Sequence, residues 1–260
     1  MLDLEYLCTE VCKIARKAGA FLEEERRKFD RSRVEEKSAH NYVSYVDKTS
    51  EKQLIEELSA LFPDAGFIAE EGTGSLTDEN YCWVVDPLDG TSNYIHDMAP
   101  YAVSIALRNK EELLLGVVYE VCRQECFYAY KGSKAYLNGQ IIQVSDVSEL
   151  DKAFIALGFP YDSDRYRPTA LHLVDGLYGF AGGTRLLGSA AAEICYIACG
   201  RFDARIEAFL GPWDVAAAGL ILLQAGGHLS DFEGGDTWTY ARQVVASNKH
   251  LHPTVLSLIR

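Results

Sequence analysis

Residues 81–94 read YCWVVDPLDGTSNY, and no other stretch limits the possible folds as sharply. Five apolar or aromatic residues in succession make a short buried strand. A carboxylate is costly inside such a strand, so Asp86 marks the place where the chain emerges. Ligand sites of open α/β sheets gather at such strand edges. Pro87 fixes its own φ and biases Asp86 away from helix. Gly90 permits a tight bend and the close approach of another group. Thr91 and Ser92 suit the cap of a short helix, whose free N–H groups attract phosphate. Asp, Pro and Gly are equally the usual residues of a surface turn, so DPLDG taken alone is also just a turn.

The rest of the chain alternates between two periods. Leu4, Leu7, Cys8, Val11, Ile14, Ala15, Ala18 and Leu22 recur at helical spacing within 3–28. Residues 47–62 form a second expected helix, stopped by Pro63. Strands are expected at 66–69 and 81–85, and an antiparallel meander over 101–108, 113–121 and 125–130, with a turn-rich stretch from Lys131 to Gly139. Further strands are expected at 153–157, 183–187, 202–206, 227–230 and 243–247, and helices at 165–176, 189–199, 214–225 and 250–259. No linker interrupts the alternation. The expectation is an α/β fold, a layered α+β sandwich of helices and mixed sheets. It forms a single domain over 1–260, with two tightly packed halves of roughly 1–145 and 146–260.

Charge narrows the partners. The formal net charge is −13, which argues against nucleic acid held by clustered Lys and Arg. A small anionic substrate is still open, because a bound cation reverses the local sign. The N-terminal MLDLEYLCTE has acids where a signal peptide has basic residues, and the apolar run Val215 to Leu223 is too short to span a bilayer. A cytoplasmic protein without membrane contact is expected. The 7 cysteines include the pairs Cys8/Cys12, Cys122/Cys126 and Cys195/Cys199. Helical or strand-face packing explains them more simply than metal ligation.

Other acids stand where Asp86 stands, at the mouths of apolar elements. Glu70 and Glu71 follow GFIA, Asp214 opens the apolar segment WDVAAAGLILLQAGG, and Asp47 starts the second helix. Each has an ordinary explanation: solvated surface for the glutamates, a charge on a helix dipole for Asp214, an N-cap for Asp47. Taken together they offer only oxygen ligands, the chemistry of Mg²⁺ or another hard cation.

DPLDGTSNY, the upstream AEEG at 69–72 and the downstream WDVAAAGLILLQAGG at 213–227 resemble the motifs of the inositol monophosphatase family. That family consists of lithium-sensitive, magnesium-dependent phosphatases. The likeness extends over essentially the whole chain, including GSAAAEICYIACGRFDA at 188–204. It implies that Glu70, Asp86 and the carbonyl of Leu88 hold one Mg²⁺, that Asp86, Asp89 and Asp214 hold a second, and that a weaker third leans on Glu70. Asp47 and Thr91 would orient or deprotonate the attacking water. Gly90 and Thr91 would offer N–H groups to the phosphate, and Gly188, Ser189, Ala190 and Glu207 would contact a polyol. The resemblance also implies a homodimer.

Within this superfamily the substrate is expected to be an inositol monophosphate or a similar small polyol or sugar phosphate. A 3′(2′),5′-bisphosphate nucleotide, fructose 1,6-bisphosphate and histidinol phosphate are the alternatives; TSNY after DPLDG favours the inositol branch. Arg185 is a candidate partner for Glu207 or for a second phosphate, and Lys37 lies near the third-metal loop without an assigned role. His96 is expected on the surface of the short helix. GGHLSDFEGG at 226–235 lacks a phosphate-loop pattern, and Ser189 lacks a nucleophile elbow. Two readings of other classes stand beside the enzyme: acids that clip Ca²⁺ for structure, and a fold kept for regulatory interaction, for instance with transcription machinery.

Overall fold

The computed structural model describes residues 2–38, 41–72, 79–159 and 163–259. The first half of the chain runs α1 (Leu4–Arg27), β1 (Glu35–Ser38), β2 (Asn41–Val43), α2 (Tyr45–Leu61), β3 (Ala65–Ala69), β4 (Tyr81–Asp89), α3 (Thr91–His96), β5 (Ala102–Asn109), β6 (Leu113–Glu120), β7 (Glu125–Tyr130), β8 (Ala135–Leu137) and β9 (Gln140–Ile142). The second half runs β10 (Phe154–Leu157), α4 (Ser163–Leu177), β11 (Gly183–Arg185), α5 (Ala190–Ala198), β12 (Ala204–Ala208), α6 (Pro212–Gln224), β13 (Gly227–Ser230), β14 (Gln243–Asn248) and α7 (His252–Ser257).

Strands β3 to β9 form a seven-stranded sheet in sequence order, in which β3 and β4 are parallel and the remaining neighbours antiparallel. The second sheet has the order β11-β10-β12-β14-β13. Period-2 alternation sends each strand of the first sheet into two different cores. On β4, Trp83 and Val85 join one apolar cluster with Val11, Leu22 and Leu54 of α1 and α2. Val84 points the other way, toward Ile194, Ala217 and Ile221 of α5 and α6. These two helices are covered on their far side by the second sheet, whose outer face buries Ile155 and Val245 against Tyr166, Leu173 and Val255. The result is the expected α/β layering, helix–sheet–helix–sheet–helix.

α6 is apolar nearly all round, as a helix between two sheets must be. It approaches β6 so closely that a Cβ at Gly116 would lie 2.4 Å from the carbonyl oxygen of Ala217. No helix among the described residues is long and apolar enough to cross a membrane. The cysteine pairs carry free thiols; Cys8, Cys126 and Cys195 are buried within the packing.

Three local expectations change. The strand expected at 81–85 continues to Asp89. The turn-rich stretch after Lys131 contains the hairpin β8–β9, whose two-residue turn has Asn138 at φ 48° and Gly139 at φ 86°. Asn-Gly is the preferred pair for such a turn. The hairpin β1–β2 lies in EEKSAHNYV, which has little of the apolar alternation that marks a strand.

Candidate functional site

Residues i and i+3 of a regular strand face opposite sides of the sheet. Asp86 and Asp89 nevertheless converge, because β4 bulges between them. Asp86 pairs with Ser104 and Asp89 with Ala102, so Pro87 and Leu88 together oppose one residue of β5. The extra residue restores the parity and turns both carboxylates toward one cleft. A bulge is also where a strand tolerates proline, which has no N–H for the ladder. Within the bulge the Leu88 amide donates to Asp86 Oδ1 at 2.9 Å. Gly90, at φ 89°, then ends the strand and starts α3.

The third acid comes from the other half of the chain. Asp214 stands in the first turn of α6, where Oδ2 accepts the Gly211 amide at 2.6 Å. One ligand oxygen from each of Asp86, Asp89 and Asp214 lies within 4.8 Å of the others. Glu70, at the end of β3, faces the same group. Burial first, and then the Glu70, Asp89 and Asp214 carboxylates, push the Asp86 carboxyl well above the usual range. Asp214 is raised by burial and by Glu70 and Asp89, against the Gly211 hydrogen bond. Asp89 is pushed up to about 6 by burial, opposed by Ser189, the Ala191 amide and Arg205.

Thr91, in the cleft wall, meets Asp47, which is buried behind it. Asp47 Oδ2 accepts the Ser44 amide at 2.8 Å and the Ser44 hydroxyl at 2.6 Å, capping α2. Its other oxygen, Oδ1, lies 3.0 Å from Thr91 Oγ1, which lies equally 3.0 Å from the Leu88 carbonyl oxygen. Burial raises the Asp47 carboxyl, and the bonds from Ser44 and Thr91 oppose that rise.

The cleft above these acids has a volume of about 730 Å³. Glu70, Asp86, Leu88, Asp89, Gly90, Thr91, Gly188, Ala190, Glu207 and Asp214 all contribute to its wall. Ser189 does not. It is buried as the N-cap of α5 and donates its hydroxyl to Asp89 Oδ2 at 2.5 Å. The amides of Ala190 and Ala191 donate to the same carboxylate at 3.2 and 2.8 Å. The start of α5 thus anchors an acid of the first sheet.

Arg185 does not reach Glu207. Its Nη1 donates to the Thr184 carbonyl at 2.8 Å and its guanidinium lies 4.7 Å from the Phe154 ring centroid. The partner of Glu207 is Arg205, which the sequence reading missed. The signal was present: two residues apart on a strand share a face, so β12 had to set Arg205 and Glu207 side by side. Asn93 was missed as well; its Nδ2 donates to the Pro100 and Leu187 carbonyls at 2.8 and 2.6 Å, tying α3 to the loop before α5. His96 is exposed on α3, away from the cleft wall. The Lys37 side chain and residues 73–78 lie outside what is described.

Comparison with known proteins places the sequence and the fold. A family model described as inositol monophosphatase family matches residues 3–260. The Nus factor SuhB of Escherichia coli K12 is 37% identical over 250 residues, covering 95% of this chain and 93% of that protein. The crystal structure of the extragenic suppressor protein suhB from Bartonella henselae superposes with a TM-score of 0.93 at 32% identity, over 98% of both chains. An inositol monophosphatase from Anabaena superposes with a TM-score of 0.88 at 30% identity, over 99% of this chain and 96% of that one. With its motifs, its layered fold and its full length matched, the chain belongs to the inositol monophosphatase family.

Proposed function

We propose that the protein is a Mg²⁺-dependent phosphomonoesterase acting on an inositol monophosphate or a similar small polyol phosphate. The observation that carries this reading is the convergence of Asp86, Asp89 and Asp214 within 4.8 Å, beside the Asp47–Thr91 hydrogen bond. Carboxylates that raise one another's pKa by repulsion form a set completed by a hard cation. Glu70, Asp86 and the Leu88 carbonyl are the proposed ligands of one ion, and Asp86, Asp89 and Asp214 those of a second. A bound Mg²⁺ supplies charge neutralisation for the phosphate and acidity for water.

The chain's own groups supply the rest. Thr91 Oγ1, fixed between Asp47 Oδ1 and the Leu88 carbonyl, aligns the attacking water and relays its proton toward Asp47. A mere chelator has no use for that pair. The opening turn of α3 has amides without intrahelical acceptors, and those of Gly90 and Thr91 are suited to hold phosphate oxygens. Gly188, Ala190 and Glu207 form the wall on the leaving-alcohol side, where Glu207 accepts hydroxyl hydrogen bonds. The test is phosphate release from the candidate esters with and without Mg²⁺ and Li⁺. No Mg²⁺-dependent release from any of them would remove the reading.

A second reading is favoured by the relatives named Nus factor SuhB, at 37% identity. It gives this chain a regulatory role carried by its surface, and the expectation that no nucleic acid is bound, drawn from net charge, is not extended to that role. Complementation separates the two. An Asp89→Ala chain that releases no phosphate yet replaces the Escherichia coli relative in growth supports the regulatory role, and failure of the wild-type chain to replace it speaks against that role. The homodimer implied by the family is part of the proposal, and solution scattering tests it.

A further inference from the structure

Arg205 is among the largest fully buried side chains, and it lies in the wall of the cleft. A buried guanidinium requires partners. It has one carboxylate on each side: Nη1 pairs with Glu193 of α5, itself fully buried, and Nη2 pairs with Glu207 of β12. Glu193 is fixed in turn, since its Oε1 accepts the Leu187 amide at 2.7 Å. The chain of charges therefore runs from the interior outward, Glu193 to Arg205 to Glu207, and only its last member is partly exposed to the cleft.

Glu207 is confined from the opposite side as well. A Cβ at Gly158 would lie 2.1 Å from both Cδ and Oε1 of Glu207, and 2.6 Å from its Cγ. Gly158 belongs to the chain continuing β10, and its amide donates to the Ile206 carbonyl at 3.0 Å. Its backbone is not in the left-handed region, so glycine is needed there for space and not for conformation. The carboxylate of Glu207 thus fills the room of the missing side chain while Arg205 holds one of its oxygens.

We propose that Arg205, braced by Glu193, is the positioning residue that sets Glu207 against Gly158 as acceptor for hydroxyls of the leaving alcohol. It thereby determines the preference for polyol phosphates over phosphate esters without such hydroxyls. The proposal rests on the phosphatase reading given above. A long acidic side chain loses rotamer freedom when it binds a hydroxyl, and prior immobilisation removes that cost. Arg suits the task better than Lys, because its planar fork engages two carboxylates at once.

The experiment is steady-state kinetics with Mg²⁺ on myo-inositol 1-phosphate and p-nitrophenyl phosphate, reading the ratio of the two kcat/KM values. Glu207→Gln, Arg205→Met and Gly158→Ala are each expected to lower that ratio about tenfold, mainly through KM for the polyol ester, the scale of one hydrogen bond to a charged group. The double variant Arg205→Met/Glu207→Gln is expected to lose no more than Glu207→Gln alone. Gly158→Ala displaces only the end of a flexible side chain and leaves the Glu193–Arg205 pair intact, so it decides the matter if Arg205→Met does not fold. The proposal is overturned if Gly158→Ala keeps the wild-type ratio while Glu207→Gln lowers it, if a folded Arg205→Met does the same, or if the double loss is the product of the single losses. A wild-type chain that hydrolyses neither ester removes the phosphatase reading, and this proposal with it.

Discussion

Replacing Asp214 by Asn should make the metal-free protein more stable and at the same time remove its response to Mg²⁺. Asp86, Asp89 and Asp214 bring ligand oxygens within 4.8 Å of one another, which makes three like-charge pairs when all are ionised. At an effective dielectric constant of about 20, each pair at that distance costs about 3 kcal/mol. Asn at 214 removes two of the three pairs. Its carbonyl oxygen still accepts the Gly211 amide, so the start of α6 is kept. Part of the repulsion is already relieved by proton uptake, since all three carboxyls are raised. A net gain of about 2–4 kcal/mol is expected, or roughly 5–10 °C in Tm for a chain of this size. For the wild type, Mg²⁺ at about 100 times its Kd supplies about 2.7 kcal/mol, a rise of similar size.

The pH dependence has a definite sign. Raised carboxyl pKa values mean that the folded state binds more protons than the unfolded one, so stability falls as pH rises through the folded pKa. That value is about 6 for Asp89, while Asp86 and Asp214 are displaced in the same direction. The metal-free wild type should therefore melt lower at pH 8 than at pH 5.5, Mg²⁺ should help more at pH 8, and both effects should shrink in Asp214→Asn. Calorimetry after chelator dialysis at both pH values, with and without Mg²⁺, measures all of this. A variant that melts no higher than wild type without metal, and gains as much from Mg²⁺, refutes the placement of the cation on these acids.

Three further outcomes are expected. Thr91→Val removes the hydroxyl between Asp47 and Leu88 and should lower kcat 100-fold or more, on the order of a lost general-base relay, with Tm moving by a few degrees; rate measurements above KM check it. Asp89→Ala should abolish phosphate release while circular dichroism keeps its wild-type form, and normal Mg²⁺-dependent turnover would sink the assignment. Gly116→Ala places a Cβ 2.4 Å from the Ala217 backbone and should cost about 1–3 kcal/mol, read as a lower urea midpoint at unchanged m-value.

Much of the fold was legible because its layers impose two clean periods on the chain. The meander over β5 to β7 and the apolar α6 follow from spacing alone, and their bounds differ from expectation by a residue or two. Where the signal failed, a local rule was outweighed. β1 and β2 are short and polar, and pairing with each other is what makes them strands. β4 was cut at Val85 because a proline and two acids contradict a strand, yet the bulge admits all three. Arg205 was missed because a buried arginine is unexpected in an apolar strand unless its two acidic partners, Glu193 and Glu207, are already known to be near.

The individual acids were ambiguous for a deeper reason: the carboxylates that hold the local fold are the same ones that gather at the cleft. Asp47 caps α2 with Oδ2 and meets Thr91 with Oδ1. Asp214 anchors Gly211 with Oδ2 and brings a carboxylate oxygen within 4.8 Å of those of Asp86 and Asp89. Asp86 fixes the bulge by accepting the Leu88 amide on Oδ1. Asp89 is gripped by Ser189 and two amides of α5. The cap, the dipole charge and the turn were therefore correct readings of these residues, and none of them competes with a cation site. The folding contact is what immobilises each carboxylate, so the repulsion among them cannot relax by rotation and is left for protons or a cation to relieve.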